Sequence, residues 1–398
     1  MAALGGLVQR EQLDALMRAR HLTTSNLGKG AGDATDAARN MAKMVKLGLF
    51  NLMGLYDRNT SPASVVQTSI DMVTMAEDLN FDIAWFAEHH FTNHSICPAA
   101  LMMVTRCVPA TKRIRLGPAV LPLPFHNPLR LVQEVAFADL LSGGRLVLGL
   151  GCGYQPYEFD RFGVDPARKH EIMLEVWDIL DQGLKTGAIS YSSRNFHIPP
   201  TELPMRPFGL DLPEVYVVST NRAVLARAAR GGHTPFMSFG HRGLEPALEQ
   251  RRRIVEGWTA GGGSPEAMPL AVQRFVYVTE RRSDALHAAE CVRNLFRADR
   301  NLTGASFDKD GPFVRLMPFH DEPPLDDFLD NAVIGGAAEC AERLASEIAA
   351  MKPSHLSCFM GFAGIGRRET LASMERFGAD VLPLLGSVLA QGNLSDAA

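Results

Sequence analysis

From Lys46 onward, short runs of apolar residues alternate with longer stretches in which apolar residues recur every three or four positions. The first pattern marks strands covered on both faces, the second helices with one buried stripe. Lys46–Phe50, Phe81–Phe86, Arg113–Val120, Arg145–Leu150, Glu214–Val218, Thr234–Ser238, Ala271–Thr279 and His355–Met360 read as strands. Between them, Val66, Ile70, Val73 and Leu79 mark one helix, and Val132, Val135, Ala136 and Leu140 another. Ile172, Val176, Ile179 and Leu180 mark a third, over about Pro166–Leu184. Arg222–Arg230 and a segment from about Ser283 are helical, and Leu371, Met374, Phe377, Val381 and Leu384 carry a closing helix over Arg368–Leu385. Ser61-Pro62 offers an N-cap and an N1 proline, and Ser142-Gly143-Gly144 a stop. Strand–helix alternation predicts an α/β fold with a parallel sheet, and eight units favour a closed (β/α)8 TIM barrel over a doubly wound open sheet. Tyr191–Leu212 and Arg297–Gly336 break the rhythm; the second places an insertion between the last two strands, of the kind that forms lids or binding loops.

Residues 1–44 differ from the rest. Leu7–Leu22 has the spacing of a short helix, and Thr23–Asn40 is rich in small and polar residues, as linkers are. The expected organisation is a flexible N-terminal extension, 1–44, before a barrel over 45–390, and removal of residues 1–40 is expected to leave fold and activity intact.

Composition narrows the classes. The 398 residues suit one barrel, and with 46% hydrophobic and 21% charged residues a large core can form. A net charge of -4 without a basic stripe argues against nucleic acid and anionic membrane as partners. The 6 cysteines are scattered without a CxxC pair, which argues against a zinc site and a secreted disulfide framework. No apolar run nears the roughly 20 residues that cross a bilayer, and no signal-peptide pattern opens the chain. A cytoplasmic protein is expected.

In a barrel, chemistry sits just after the strands. Glu88-His89-His90 follows the second strand, and histidine titrates near neutral pH. Adjacent histidines on extended backbone point to opposite sides, so at most one faces a given site. The loop Val120–Pro128 is stiff and apolar, fit to wall a planar ligand or to make a rigid turn. Gly149-Leu150-Gly151-Cys152-Gly153-Tyr154 lets a ligand approach the backbone, but lacks the ending of a P-loop. Ser219-Thr220-Asn221-Arg222 leads into a helix, where it can hold a phosphate or simply cap.

Taken in order, "FDIAWFAEHHF" (81–91), "RIRLGPAVLPLPFHNPLRLVQEVAFADLLSGGRLVLGLG" (113–151), "EFDRFGVD" (158–165), "VYVVS" (215–219) and "ASMERFGADVLPLL" (372–385) resemble the bacterial luciferase-like flavin monooxygenase family. The resemblance implies a barrel that takes reduced FMN from a separate flavin reductase and uses O2 to oxidise a small organic substrate. It implies His89 as acid or base beside the flavin, with Glu88 orienting it. Ala119-Val120 would pack on the flavin ring through a non-proline cis peptide. Gly151, Cys152 and Tyr154 join the cofactor-binding set. Thr220 and Asn221 would receive the phosphate, with Ser219 and Arg222 beside them in the cofactor-binding set, and Ser238 and Phe239 would add contacts. Arg297–Gly336 matches the mobile lid, and a homodimer is the usual assembly. One departure stands out: Cys152 replaces an arginine that pairs with the phosphate in many members, and Arg222 is the expected substitute. Apolar strand ends, Phe50, Met53, Phe125, Phe239, Met360 and Phe362, point to an apolar or aromatic substrate. An F420-dependent oxidoreductase, a non-catalytic flavin-binding protein of the same fold and a metal hydrolase barrel are the alternatives.

Overall fold

The computed structural model describes residues 45–395 except 211, 241, 305–306 and 363; the expected N-terminal extension lies outside the described residues. The strands that form the barrel are β1 Lys46–Asn51, β2 Ile83–Phe86, β3 Arg115–Pro118, β4 Val147–Gly151, β5 Glu214–Val218, β6 Thr234–Ser238, β7 Ala271–Val278 and β8 His355–Phe359. Around them run α1 Pro62–Asp78, α2 Ala100–Cys107, α3 Pro128–Ser142, α4 Lys169–Thr186, α5 Arg222–Gly231, α6 Leu244–Ala260, α7 Arg282–Thr303, α8 Ala337–Met351 and α9 Arg367–Arg376. The sheet runs β3-β2-β1-β8-β7-β6-β5-β4, with parallel pairing throughout. This is the (β/α)8 TIM barrel expected from the alternation.

Closure comes from a broken strand. The run Arg113–Val120 was expected to be continuous, but β3 stops at Pro118 and a non-proline cis peptide joins Ala119 to Val120. Beyond it, Leu121–Pro122 pairs with β4, Leu121 opposite Leu150 and Pro122 opposite Gly151. A single parallel bridge between Leu116 and Leu146 completes the ring lower down.

Sequence chemistry sets the helix ends. Ser61 Oγ accepts from Ser64 N at 3.1 Å to open α1, and Asn127 Oδ1 accepts from Arg130 N at 3.1 Å to open α3. Gly143, at φ 65°, ends α3 in the left-handed conformation that glycine tolerates best. Two expectations need correction. Pro166–Arg168 is a 3-10 turn, and α4 proper begins at Lys169. The closing helix is interrupted by a π turn, Phe377–Val381, before Leu382–Ser395; Pro383 has no N–H to continue the regular ladder. The two stretches outside the rhythm are also resolved. An antiparallel hairpin, Ala188–Ser192 with His197–Glu202, fills the first. In the second, α7 continues to Thr303, followed by the hairpin Lys309–Asp310/Phe313–Val314, a short helix Leu325–Asn331, and Val333–Gly335 paired with β7.

Side-chain alternation divides the core. Outward-facing residues such as Leu49, Ala84, Leu148, Val217 and Cys358 are buried under the helices. Inward, Ile83, Trp85, Val147, Tyr216, Phe236 and Ala271 plug the lower barrel. Trp85 Nε1 donates to His355 Nε2 at 3.1 Å inside this plug. Gly48 and Gly117 leave the space for it, since a Cβ at either would lie 2.5 Å from His355 Nε2 or 2.4 Å from Val147 O. The plug closes one end of the barrel and leaves the other to a cavity.

Candidate active site

A cavity of about 900 Å³ opens where the strands end. Phe50 after β1, Ala87–His89 after β2, Ala119 and Val120 after β3, Gly151–Tyr154 after β4, Ser219 and Thr220 after β5, Ser238 from β6, Phe275 from β7 and Phe359 from β8 all reach it. The helix α7 supplies the far wall. The volume lies at the upper end for ligand sites, enough for a cofactor and a small substrate together.

One end holds a histidine clamped by a carboxylate. Both His89 Nδ1, at 3.2 Å, and the backbone N–H of His90, at 2.7 Å, approach Glu158 Oε1. Burial by itself would raise the Glu158 carboxyl, but the bonds from His89 and His90 outweigh it and hold it at about 2. Glu158 is therefore a fixed anion that keeps a proton on Nδ1, leaving Nε2 as the ring nitrogen for chemistry. The Gln155 amide lies 3.1 Å from the same Nδ1 and 3.4 Å from the Tyr154 hydroxyl, with its Oε1 otherwise without a partner. Turned with its oxygen inward, this amide also accepts from Nδ1–H. The rings of His94 and Tyr154 flank His89 at 5.1 and 5.5 Å. His94 is buried, which pushes it down to about 3 and keeps it neutral, and its Nδ1 meets the Tyr56 hydroxyl at 2.8 Å.

Glu88 has a different task from the one expected. Its Oε1 meets His126 Nε2 at 2.7 Å and its Oε2 accepts from Ala100 N at 2.9 Å, at the start of α2. The alternation along the segment turns Glu88 away from the His89 ring, so Glu158, 69 residues beyond His89 in the chain, orients the histidine instead.

The other end is polar and cationic. Ser219 and Thr220 line the cavity at the entry to α5, with Lys169, His170 and Arg242. Asn221 does not join them. Its Oδ1 accepts from Ala223 N and Val224 N at 3.0 and 3.2 Å, so the side chain is spent on capping. Arg222 opens α5 on the exposed face and does not line the cavity. The cation beside Cys152 is Lys169, which counters the rise that burial imposes on the thiol. Cys152 lines the cavity with its thiol turned to Gly153 O at 3.3 Å, and burial keeps it protonated. Ser238 faces the cavity, but Phe239, one step along, points outward into a second core where the Arg274 guanidinium covers its ring at 4.5 Å. Strand parity alone separates the two.

Glu158, Gln155, Lys169, Arg242 and Asp299 were missed in the sequence. Glu158 stands in a stretch used only for the resemblance. Asp299 carried a readable signal, a carboxylate on the stripe Val292, Leu295, Phe296 and Thr303 that otherwise faces inward. Lys169 and Arg242 had none, because they converge only when the barrel closes. Among the described residues, no group of three or more His, Cys, Asp or Glu side chains is placed to share a metal ion, and no helix is long and apolar enough to cross a membrane.

Comparison with known proteins agrees with this fold. The family model described as luciferase-like monooxygenase matches residues 45–351. The uncharacterized protein y4vJ of Sinorhizobium fredii is 35% identical over 329 residues, covering 81% of this chain and 92% of the relative. Two solved structures share the fold. The FMN-bound oxygenating constituent of 3,6-diketocamphane monooxygenase, from a plasmid of Pseudomonas putida, superposes with a TM-score of 0.70 at 17% identity, over 86% of this chain and 98% of that one. The coenzyme F420 dependent tetrahydromethanopterin reductase of Methanopyrus kandleri gives 0.65 at 17% identity, over 85% and 99%. With its family model spanning most of the barrel, this chain belongs to the luciferase-like monooxygenase family.

Proposed function

We propose that the chain is the oxygenase component of a two-component system, binding reduced FMN delivered by a separate reductase and using O2 to oxidise a small apolar or aromatic substrate. The observation that carries this reading is the pairing, within one cavity, of the Glu158-clamped His89 with the hydroxyl and ammonium groups of Ser219, Thr220 and Lys169.

The residues fit FMN. Val120 and Gly151 both line the cavity, and Val120 Cγ2 lies 2.5 Å from where a Cβ at Gly151 would sit, so the wall next to the cis peptide is the Val120 side chain packed on glycine backbone, an apolar surface against which a flat ring can lie. Ser219, Thr220 and Lys169 would hold the phosphate, with the N-terminus of α5 behind them. When bound, reduced FMN supplies the electrons that activate O2. His89, with its Nδ1 proton held by Glu158, gives or takes a proton at Nε2. The aromatic residues Phe50, Phe275 and Phe359 line the cavity and exclude water from the substrate.

The diketocamphane monooxygenase constituent is bound to FMN and the tetrahydromethanopterin reductase of the same fold depends on F420; we favour FMN because Ser219, Thr220 and Lys169 offer a compact seat for a terminal phosphate monoester. The test is oxygen consumption by the purified chain with chemically reduced FMN or F420, against a panel of aldehydes, ketones and heteroaromatics. Substrate-dependent product with reduced FMN is the expected result; turnover with reduced F420 alone would overturn the assignment.

We further propose that the protein acts in the cytoplasm as a homodimer. Phe137, Leu140 and Leu141 on α3 and Met102 on the adjacent α2 stand exposed, an apolar face suited to a second copy. Sedimentation should give a dimer, and Phe137→Glu combined with Leu141→Glu a monomer; a wild-type monomer would refute the assembly.

A further inference from the structure

The polar group on α7 has no role in the chemistry described so far. Val292, Leu295, Phe296, Asp299 and Thr303 form one stripe of that helix along the cavity. The stripe is apolar for its first three positions and then carries a carboxyl. Phe50, Phe275 and Phe359 line the same cavity, with Phe359 lying 5.1 Å from Phe50 and 5.0 Å from Phe275. Together they make a chamber for an apolar body with one polar corner.

That corner is a pair. The Tyr154 hydroxyl, from the loop after β4, interacts with the Asp299 carboxyl. Tyr154 keeps two-fifths of its surface open, and it lines the cavity. Among the described residues no cation forms an ion pair with Asp299, in contrast to its neighbour Arg300, which pairs with Asp321. A carboxyl held out of water without a cation is costly. A purely structural position would carry a partner or a neutral side chain. Such costs persist where a site uses them.

We infer that Tyr154 and Asp299 are a recognition pair that seats an oxygen-bearing head group of the substrate in the polar corner beside His89, while the α7 stripe and the phenylalanines hold its apolar body. The inference rests on the monooxygenase reading for the identity of the ligand as substrate, but the hydrogen bonding it invokes needs no flavin.

The proton on Asp299 sets what the pair reads. Protonated, the carboxyl donates to the tyrosine oxygen and the Tyr154 O–H is free to donate to a carbonyl. Ionised, it accepts the Tyr154 O–H, and the corner offers only lone pairs. Burial raises the Asp299 carboxyl, with Tyr154, His89 and Arg242 opposing the rise; Tyr56 also faces it. These groups come from the loops after β1, β2, β4 and β6, so all the elements around the corner bear on its titration. Asp299→Asn mimics the protonated state, because its amide donates permanently.

The test is binding of two probes with one body, acetophenone and ethylbenzene, measured by saturation-transfer NMR in the full-length protein with and without FMN. The wild type should prefer acetophenone by about tenfold, the worth of one well-formed buried hydrogen bond. The preference should fade as the pH rises through the raised titration of Asp299. Tyr154→Phe should erase the preference without weakening ethylbenzene, and Asp299→Ala, which leaves no carboxylate to accept the Tyr154 O–H, should remove its pH dependence. Asp299→Asn should keep it and remove its pH dependence. A wild type that binds both probes equally or neither, a Tyr154→Phe variant that retains the preference, or an Asp299→Asn variant that loses it overturns the pair. FMN titration of the same samples separates the two readings: a chain that prefers acetophenone but does not bind FMN refutes the flavin assignment and leaves the pair standing.

Discussion

His89 and its clamp are the residues on which activity turns most sharply. His89→Ala should lower substrate oxidation about a hundredfold or more, the usual worth of a positioned acid or base, while FMN titration gives an unchanged affinity. Full activity would remove the histidine from the chemistry. Glu158→Gln keeps an acceptor for the His90 N–H but loses the anion that holds the Nδ1 proton, so turnover should fall about tenfold with little change in FMN affinity. At the other end, Lys169→Ala with Thr220→Ala should weaken FMN binding, read by flavin fluorescence, about tenfold or more and leave riboflavin nearly unaffected. Equal losses for both would place the phosphate elsewhere. Which of these residues the sequence disclosed follows from geometry. His89, the Ala119-Val120 peptide and Ser219-Thr220 lie at strand ends, where position along the chain already implies the site. Phe239 misled because one step of strand parity turns it into a second core. Asn221 misled because capping and ligand binding want the same side chain, and here the cap takes it. Glu158 and Lys169 were invisible as site residues because only closure of the barrel brings them to His89 and Cys152.

At the scale of elements, the insertion after α7 carries a hairpin whose contacts with the barrel can be named. Several contacts pin it, among them the ion pair of Arg58 with Asp310. Asn93 N donates to Pro312 O at 2.9 Å, and Val314 N donates to Asn93 Oδ1 at 2.8 Å. Lys309 Nζ donates to the Tyr157 hydroxyl at 2.7 Å, and Tyr157 packs on Phe307 at 4.7 Å. Asn93→Ala removes one of those pins and should speed amide exchange across residues 307–316, leaving β1–β8 protected and raising KM more than it lowers kcat. Unchanged exchange in that hairpin would show that the remaining contacts suffice. Rhythm made the eight strands and their helices legible, since each is a short apolar run or an amphipathic stripe. What rhythm could not show is where an element breaks without changing its apolar pattern. The cis peptide inside the expected third strand and the π turn before Pro383 both preserve burial while altering the hydrogen-bond ladder.

For the molecule as a whole, two buried neutral histidines set the acid limit. Burial holds both His94 and His355 near 3, far below the ordinary value. The unfolded chain takes up protons at these sites once the pH falls below about 6.5, whereas the fold does so only near 3, so stability falls progressively across that window. The loss should reach on the order of 2 to 3 kcal/mol per histidine by about pH 4.5. Glu158 acts lower: its contribution is complete above about pH 4.5 and is lost only as the pH drops toward 2. Thermal unfolding followed against pH should therefore show a steady decline of Tm below about 6.5, and His355→Gln should flatten part of it; a Tm independent of pH between 6.5 and 4.5 would contradict the neutral state of both rings. The two walls of the cavity differ in a way that bears on descent and redesign. On one side, a Cβ at Gly149 would come within 2.3 Å of Pro118 O, and one at Gly151 within 2.5 Å of Val120 Cγ2, so almost any replacement there breaks the seam that closes the barrel. On the other, Val292, Leu295 and Phe296 present side chains rather than backbone to the cavity, so a change of size there reshapes the chamber without touching that seam. A lineage can therefore inherit the first wall unaltered and rewrite the second one residue at a time, which makes the α7 stripe the natural place to diversify a library for new substrates.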